Sequence, residues 1–119
     1  MVTIYNKKWV EVGYYEDNEF FDLDDNLLGY AEIIRPEHYG IFAVDDVQLG
    51  FYIWRYRMIY SYDGVPHSVL REEEIIRVNP DNPDEEYTIG FVEGDEEELL
   101  SAAALWAFSG ILFLKAGLE

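Results

Sequence analysis

Apolar and polar residues alternate through the first half of the chain in the manner of half-buried β-strands. Aromatic and β-branched residues concentrate in five segments: residues 9–15, 19–23, 28–34, 39–44 and 49–62. Between these segments stand residues that favour tight turns: Asp24-Asp25-Asn26, Asp45-Asp46 and Asp63-Gly64. Connections with this chemistry join neighbouring antiparallel strands. The pattern therefore predicts an antiparallel β-meander.

One segment in the second half of the chain has the composition of a long loop. Residues 79–84 contain two prolines, which excludes both a helix and a central strand there. Apolar residues flank this loop: Ile75, Ile76 and Val78 before it, and Tyr87, Ile89 and Phe91 after it. The arrangement predicts a long hairpin. Residues 66–77 fit either a short helix or a further strand, and we expect a strand or an irregular segment that enters the hairpin.

A helix is expected near the C-terminus. Asp95 is a suitable N-cap, Glu96 to Glu98 suit the positive end of a helix, and residues 99–108 are mainly good helix formers. We predict a main helix from about Asp95 to Ser109. The residues expected to pack it on the sheet are Leu99, Leu100, Ala103, Trp106 and Ala107. Gly110 is expected to interrupt the helix before a further helical turn or a final strand.

These elements predict an α+β fold in a single domain over residues 1–119. The expected architecture is an antiparallel β-meander sheet of five or more strands, with one main C-terminal helix packed on it.

The C-terminal segment is apolar on all sides. Residues 99–114 contain no charged side chain, but they fall short of the ~20 apolar residues that a membrane span needs. A small sheet covers a helix on one side only, so we expect a second copy of the chain to cover the other side. The predicted homodimer contact uses Leu99, Trp106 and Phe113.

Residues 51–62 form the most distinctive stretch of the sequence. If they form one strand, the even positions make an unbroken apolar and aromatic face, with Arg55 and Arg57 on the other side. The members of this face are Tyr52, Trp54, Tyr56, Met58, Tyr60 and Tyr62. We interpret the face as the core side of the sheet. The alternatives are a stacking platform, which needs basic charge nearby, and the wall of a ligand pocket.

Composition indicates one folded protein without redox chemistry. Of the 119 residues, 50% are hydrophobic and 17% are aromatic, which is enough apolar material for a core. The absence of cysteine excludes disulfides, thiolate nucleophiles and thiolate metal sites. The first residues lack an apolar run of signal-peptide length. We therefore expect a cytoplasmic protein, in the host cytoplasm if the chain is viral.

No group of residues indicates catalysis. Two histidines without cysteine do not suffice for the usual zinc sites, and His67 and Ser68, being adjacent on a strand, are expected on opposite faces. Residues 22–26 resemble the beginning of a calcium loop, but Leu27 and Ile33 stand where such a loop needs glycine and glutamate. A β-turn is expected there instead. We expect no enzymatic activity, no cofactor and no metal site.

Charge is the strongest functional indication. With 25 acidic and 8 basic residues, a formal net charge of -17, the chain is unsuited to direct contact with nucleic acid or an anionic membrane. Residues 1–25 carry seven acids against two lysines, and residues 72–98 carry twelve acids against one arginine, which gives -5 and -11. The remaining residues are almost neutral. A basic partner would complement these two acidic blocks.

The predicted binding surface is drawn from the two acidic blocks. It comprises Glu16, Asp17, Glu19, Asp22, Glu72, Glu73, Glu74, Asp81, Asp84, Glu85, Glu86, Glu93, Asp95, Glu96, Glu97 and Glu98. The candidate anchors are the aromatic residues nearby: Tyr14, Tyr15, Phe20, Phe21 and Tyr87. Carboxylates on one face of a strand would recur every ~6.6–6.8 Å, which suits imitation of the regular charge of a nucleic acid.

The favoured function is an acidic inhibitor that occupies the nucleic-acid-binding surface of a basic target, such as a nuclease or a defence-system protein. This is a nucleic-acid mimic of the anti-defence or immunity type, and its partner is a basic, nucleic-acid-binding protein. One alternative is a small acidic structural or homodimeric scaffold without catalytic activity. Another is a small-ligand-binding, barrel-like domain lined by the aromatic face of residues 52–62.

Overall fold

The computed structural model describes residues 1–118, in which ten antiparallel strands are followed by two helices. The strands are β1 Val2–Asn6, β2 Glu11–Glu16, β3 Glu19–Asp22, β4 Leu27–Arg35, β5 His38–Ala43, β6 Gln48–Ile53, β7 Met58–Ser61, β8 Pro66–Arg71, β9 Glu74–Arg77 and β10 Tyr87–Gly94. The helices are α1 Glu96–Ala107 and α2 Ser109–Lys115. Short 3-10 turns cover Trp54–Tyr56 and Pro83–Glu85.

The sheet is a closed barrel. Each strand pairs with its neighbours in the chain, and β1 also pairs with β10, with Val2 opposite Gly94 and Asn6 opposite Gly90. The predicted antiparallel meander and the α+β character are confirmed. The expectation of a sheet with a helix on one face is wrong, because the sheet curls until its first and last strands meet. Closure pairs both edges of every strand in the described part of the chain.

The barrel consists of five hairpin units that share one sequence pattern. Each unit is four residues long, and its second residue is small and points inward. The third residue is aromatic or β-branched and points outward, and the fourth again points inward. The five examples are Val12-Gly13-Tyr14-Tyr15, Leu28-Gly29-Tyr30-Ala31, Leu49-Gly50-Phe51-Tyr52, His67-Ser68-Val69-Leu70 and Ile89-Gly90-Phe91-Val92. The outward residues pair across strands, as in the stacked rings of Tyr14 and Phe21, 5.2 Å apart. Because the spacing between units varies, the sequence shows no fixed period.

Helix α1 lies inside the barrel. It contacts β1, β2, β4, β5, β6, β8, β9 and β10, and all residues from Leu99 to Leu105 are buried. A helix enclosed by strands has no polar face, which explains the apolar sequence. The small side chains of Ser101, Ala102, Ala103 and Ala104 leave room for the surrounding strands. The predicted helix is confirmed, but it fills the lumen instead of lying on the sheet.

Larger side chains beyond the middle of α1 fit against the small residues of the repeated units. A Cβ built at Gly50 would lie 2.6 Å from the Phe108 ring, and one at Gly90 would lie 2.5 Å from the Trp106 indole nitrogen. A Cβ built at Gly29 would lie 2.8 Å from Leu112. Glycine at these lumen positions is therefore required by close packing against the helices.

Residues 49–62 form a hairpin rather than one strand, so the prediction for this stretch is wrong. Strand β6 passes into a 3-10 turn, Arg57 adopts a left-handed conformation with φ of 52°, and β7 returns antiparallel to β6. Arginine is not a residue that marks such a turn in a sequence. In consequence Tyr52 is buried while Tyr56 and Tyr62 are exposed, and the continuous aromatic face does not exist.

The strand alternative for residues 66–77 is confirmed. Strands β8 and β9 pair around a turn at Glu72-Glu73, with Arg71 opposite Glu74. The long hairpin that spans the proline-containing loop is also confirmed, because β9 and β10 pair with Arg77 opposite Tyr87.

The barrel removes the reason for the predicted homodimer. Leu99 is 6% exposed within the lumen, and the half-buried Trp106 donates its indole N–H to the carbonyl of Ile89 at 2.7 Å. Phe113 packs edge-on against the buried Phe20. The single chain thus encloses residues 99–105, and these three residues make core contacts, although Ile111 and Leu114 of α2 are exposed.

Helix α2 follows α1 after a bend of 68° and packs against β4 and β5. Within residues 1–118, no single helix is long and apolar enough to span a membrane. In the same part of the chain, only α1 and α2 taken together have the required length and apolar composition.

Candidate functional site: the mouth of the barrel

The two ends of the barrel are closed by different parts of the chain. At the end where α1 begins, here called the mouth, lie residues 16–19, 35–38, 54–57, 71–74 and 93–98. At the opposite end, here called the capped end, lie residues 6–11, 22–27, 44–47, 62–65 and 78–86 together with α2. Successive antiparallel strands run in opposite directions, so alternate connections fall at opposite ends.

The mouth contains a cavity of about 390 Å³. A volume of this size lies within the ~300–1,000 Å³ that is typical of sites for small molecules or single groups. The lining residues come from strands β2, β5 and β6, from the connections that follow β2, β4 and β6, and from the first two turns of α1. They are Tyr15, Asn18, Glu37, Tyr39, Tyr52, Trp54, Glu97, Glu98 and Ser101.

One wall of the cavity is aromatic and is fixed by the pairing of β5 with β6. Tyr39 and Tyr52 lie opposite each other in this pair, and their rings stack with 4.9 Å between centroids and 3° between planes. Beyond the paired strands, the Trp54 amide donates to the carbonyl of Glu37 at 2.9 Å. This bond holds the Trp54 ring and the Glu37 carboxylate at the same rim of the cavity.

The floor of the cavity consists of buried hydroxyl groups. The Tyr52 hydroxyl is hydrogen-bonded to Ser101 of α1, and the Tyr15 hydroxyl donates to the Asn18 side-chain oxygen at 3.2 Å. Burial raises the pKa of Tyr15 to about 12 and also raises the pKa of Tyr52, so both stay protonated at neutral pH. They act as neutral hydrogen-bonding groups and not as bases.

Three carboxylates complete the lining. Glu37 accepts a hydrogen bond from the Arg55 guanidinium at 2.9 Å, and Glu98 lies 3.5 Å from the amino group of Met1. Glu97 forms no ion pair within residues 1–118. Across the same described residues, no lysine or arginine lines the cavity. The site therefore combines negative charge with aromatic walls and hydroxyl acceptors.

The densest group of acids lies beside this cavity and is here called the acidic collar. It consists of Glu72, Glu73, Glu93, Asp95, Glu96, Glu97 and Glu98. The turn between β8 and β9 lies next to β10, because the Val92 amide donates to the Glu73 carbonyl at 2.9 Å. The nearby Arg57 guanidinium donates to the backbone carbonyls of Leu70 and Glu72, at 3.2 and 3.1 Å. Backbone carbonyls thus hold this guanidinium in place beside the collar carboxylates.

The structure divides the predicted acidic surface between the two ends. The mouth carries the collar together with Glu16, Asp17, Glu19 and Glu74, whereas Asp22, Asp81, Asp84, Glu85 and Glu86 lie at the capped end. The run 72–98 is therefore not one surface, because β9 and β10 carry the chain to the far end and back. Eight of these sixteen acids stand in connections, three lie in helix α1 and five lie in strands, so the expected regular rows of carboxylates along strands are not formed.

The candidate anchors also separate. Tyr15 and Phe20 are 1% and 0% exposed and belong to the core, so they do not serve as surface anchors. Tyr14 and Phe21 stack on the outside of the barrel, and the Tyr14 hydroxyl donates to Asp25 at 2.6 Å. Tyr87 is exposed, but it lies at the start of β10, near the capped end.

His67 and Ser68 touch each other, contrary to the sequence prediction. The Nδ1 atom of His67 lies 2.6 Å from the hydroxyl of the buried Ser68, and the ring packs against Phe108. Burial and then the charge of Arg77 lower the pKa of His67 to about 4. Within residues 1–118, no carboxylate is hydrogen-bonded to His67, so the pair lacks the acid that orients the base of a catalytic triad.

The stretch that resembles a calcium loop is a turn closed by its own side chain. Asp22 accepts hydrogen bonds from the amides of Asp24 and Asn26, both at 2.9 Å, and from the Asn26 side chain at 3.0 Å. These bonds lower the pKa of Asp22 despite its partial burial. The expected β-turn between two strands is confirmed.

Sequence reasoning missed most of the residues that line the cavity. Asn18 and Glu37 lie in two-residue connections, Tyr39 reads as an ordinary strand residue, and Ser101 is one polar residue in an apolar helix. The available signal was the repeated unit, which places Tyr15 and Tyr52 at equivalent lumen positions.

No protein family, curated protein or solved structure matches the chain. Its function is therefore inferred from the geometry and charge of the mouth.

Proposed function

We propose that the protein binds a basic, nucleic-acid-binding protein through its mouth and inhibits that partner by occupying the surface that nucleic acid would use. The observation that carries the proposal is the acidic collar beside the open cavity. Seven carboxylates from the β8–β9 turn, the end of β10 and the start of α1 meet there. A nucleic-acid-binding surface presents clustered lysine and arginine residues, which such a group of charges complements.

Most of the acidic charge is free to act on a partner. Within residues 1–118, side-chain ion pairs are limited to Arg55 with Glu37, Arg71 with Glu86, and Lys115 with Asp45. Among the collar residues, Asp95 and Glu98 also lie near the amino group of Met1, at 2.7 and 3.5 Å. Unpaired surface charge of one sign attracts a partner of opposite sign and raises the rate of association.

The capped end is acidic as well, and each end carries four basic side chains. At the mouth these are Arg35, Arg55, Arg57 and Arg71, and at the capped end they are Lys7, Lys8, Arg77 and Lys115. The recess that the described residues form at the capped end, about 320 Å³, has a single aromatic side chain, Tyr87, in its lining, and helix α2 covers the lumen there. We therefore assign recognition to the mouth and a solvating role to the acids of the capped end.

The test begins with a tagged form of the protein, which captures its partner from the native host. The partner is then purified and titrated with labelled duplex DNA in the presence of the protein. We expect the protein to displace the DNA. The collar variant neutralises three residues together: Glu72→Gln, Glu73→Gln and Glu96→Gln. It should weaken this competition at least about tenfold, because each lost charge pair with the partner costs up to ~1 kcal/mol of binding free energy.

A matched variant controls for total charge. Asp81→Asn, Asp84→Asn and Glu85→Gln remove the same three charges at the capped end and should change the competition by less than about threefold. Equal effects of the two triple variants would contradict the assignment to the mouth. A partner that keeps its DNA in the presence of saturating protein would refute inhibition by occupancy and would favour the scaffold alternative.

A further inference from the structure

We infer that the mouth cavity receives one arginine side chain of the basic partner, with its guanidinium held between the aromatic wall and the carboxylates. The inference rests on the proposed function and specifies its chemistry. It names the contact that turns general charge attraction into specific binding.

The aromatic wall suits a planar cation. Tyr39 and Tyr52 form a stacked pair, and Trp54 stands half-buried at the rim beside them. A guanidinium stacks on aromatic rings and is weakly hydrated, so it loses less hydration than an ammonium group on entering such a site. The aromatic wall alone would accept any apolar group. The charged side chains of the cavity must therefore determine which ligand it prefers.

The polar lining selects a cation. Glu37, Glu97 and Glu98 are acceptors, and a carboxylate offers two oxygens to the two parallel N–H groups of an arginine. Glu37 is paired with Arg55 and Glu98 lies 3.5 Å from the Met1 amino group, whereas Glu97 forms no ion pair within residues 1–118. An anionic ligand would meet the Glu97 carboxylate without a lysine or arginine among the lining residues of the described chain. A neutral ligand would leave the Glu97 carboxylate without a cationic partner. The cavity therefore favours a positive group with several N–H donors.

The structure already shows a guanidinium at this rim. Arg55, the residue after Trp54, donates to the Glu37 carboxylate at 2.9 Å, while its own side chain is 66% exposed. An incoming arginine would compete with Arg55 for Glu37. Removal of Arg55 should therefore strengthen binding, an outcome that general damage to the fold would not produce.

Strand β4 differs from the other repeated units beside the cavity. At the second inward position, four units carry large or medium side chains, Tyr15, Tyr52, Leu70 and Val92, whereas the β4 unit carries Ala31. The connections before β3 and after β4 contribute Asn18 and Glu37 to the cavity lining. The backbone amide of Ala31 donates to the backbone carbonyl of Asn18 at 2.8 Å. Ala31 is itself a buried core residue, so this bond positions the Asn18 part of the cavity lining.

The probe for this inference is the peptide acetyl-Gly-Arg-Gly-amide, with the citrulline peptide of the same length as the neutral control. The three tryptophans give three indole N–H signals in a nitrogen-15 NMR spectrum, and Trp54→Phe identifies the signal of Trp54. We expect the arginine peptide to shift the Trp54 signal in a saturable way, at about millimolar concentration. The signals of Trp9 and Trp106 should stay in place, and the citrulline peptide should have no effect.

Three variants sharpen the test. Glu97→Gln should weaken binding of the arginine peptide about threefold to tenfold, and Arg55→Gln should tighten it about threefold. Glu85→Gln removes one charge at the capped end and should leave the affinity within about twofold of the parent protein.

The inference would be overturned if the arginine and citrulline peptides acted alike, if the Trp54 signal did not move, or if Arg55→Gln weakened binding. Its failure is distinguishable from failure of the proposed function. Loss of DNA competition in the collar variant together with an unmoved Trp54 signal would leave the function standing and reject the arginine site. A shifted Trp54 signal with no DNA competition would reject the function alone.

Discussion

The two ends of the barrel enclose the same helix in opposite ways. At the capped end, bulky side chains such as Phe108 and Leu112 fill the lumen down to the backbone of Gly50 and Gly29. At the mouth, Ser101 of α1 is hydrogen-bonded to the Tyr52 hydroxyl, and Glu97 and Glu98 of the same helix line an open cavity. We infer from this difference that close packing at the capped end stabilises the barrel and allows the mouth to keep an open, polar recess.

The largest expected effect comes from disturbing the capped end. A Cβ at Gly50 would lie 2.3 Å from the carbonyl oxygen of Tyr60 and 2.6 Å from Phe108, so Gly50→Ala should lower the free energy of unfolding by about 3 kcal/mol. Urea unfolding followed by circular dichroism measures this. A loss below about 1 kcal/mol would show that this end is not tightly packed.

A second glycine provides the matched control. Gly110 lies in α2 with no atom within 4 Å of the position of its Cβ. Gly110→Ala should stabilise the protein by about 0.5–1 kcal/mol because alanine favours the helix.

Protonation of His67 should destabilise the capped half at moderately low pH. Burial and Arg77 lower the pKa of His67 to about 4, below its unfolded value of 6.5. The unfolded state therefore binds the proton more readily, so this contribution to stability is complete above pH 6.5 and is lost as the pH falls towards 4. Because the ring is only half-buried, we expect a loss of about 1–2 kcal/mol.

The measurement compares the free energy of unfolding of the parent protein and of His67→Gln at pH 7 and pH 4.5. The parent should lose more stability than the variant between these two values. An identical loss in both proteins would place the cause in the carboxylates instead of in His67.

A smaller effect is expected at the floor of the mouth. Tyr52→Phe removes the hydrogen bond to Ser101 but leaves the ring in its stack with Tyr39, so the protein should lose about 1 kcal/mol of stability. The Ser101 hydroxyl can bond water in the cavity, which limits the cost. A loss near that of Gly50→Ala, in the same urea experiment, would indicate that the mouth is as closely packed as the capped end.

The smallest effect concerns the surface. Lys115 of α2 lies 2.7 Å from Asp45, and this hydrogen bond lowers the pKa of the Asp45 carboxyl. Ion pairs that are open to water contribute little, so Lys115→Gln should barely change the urea midpoint at neutral pH. A marked fall would mean that this pair, and not the packing of apolar side chains, holds α2 over the lumen.

Local patterns were sufficient to predict most strands and turns of this fold. The segments around Glu19 to Leu23 and Tyr39 to Val44 became β3 and β5, and the turn residues at Asp45-Asp46 fall between strands as expected. These features depend on neighbours in sequence, which alternation and turn chemistry report directly. The turn at residues 54–57 was not predicted, because arginine is not a residue type that indicates the left-handed conformation that Arg57 adopts.

Closure of the barrel and the position of α1 depend on contacts between distant residues. A helix that is apolar on all sides fits a dimer interface as well as a barrel lumen, and only the pairing of β1 with β10 decides between them. Three glycines of the repeated units, Gly29, Gly50 and Gly90, indicate the position of the helical segment, since each stands where a strand meets a side chain of residues 105–112. The candidate site was not predicted for the same reason. Asn18, Glu37 and Ser101 are far apart in sequence and come together only when the barrel forms.

The central claim is that the mouth, and not the capped end, is the recognition end. Hydrogen–deuterium exchange of the protein with and without its captured partner tests this claim most directly, because it reports every connection between strands at once. We expect slower exchange for residues 16–19, 35–38, 72–74 and 93–98, with residues 44–47, 62–65 and 78–86 unchanged. Slower exchange confined to those capped-end residues and α2, with the mouth unchanged, would contradict the account.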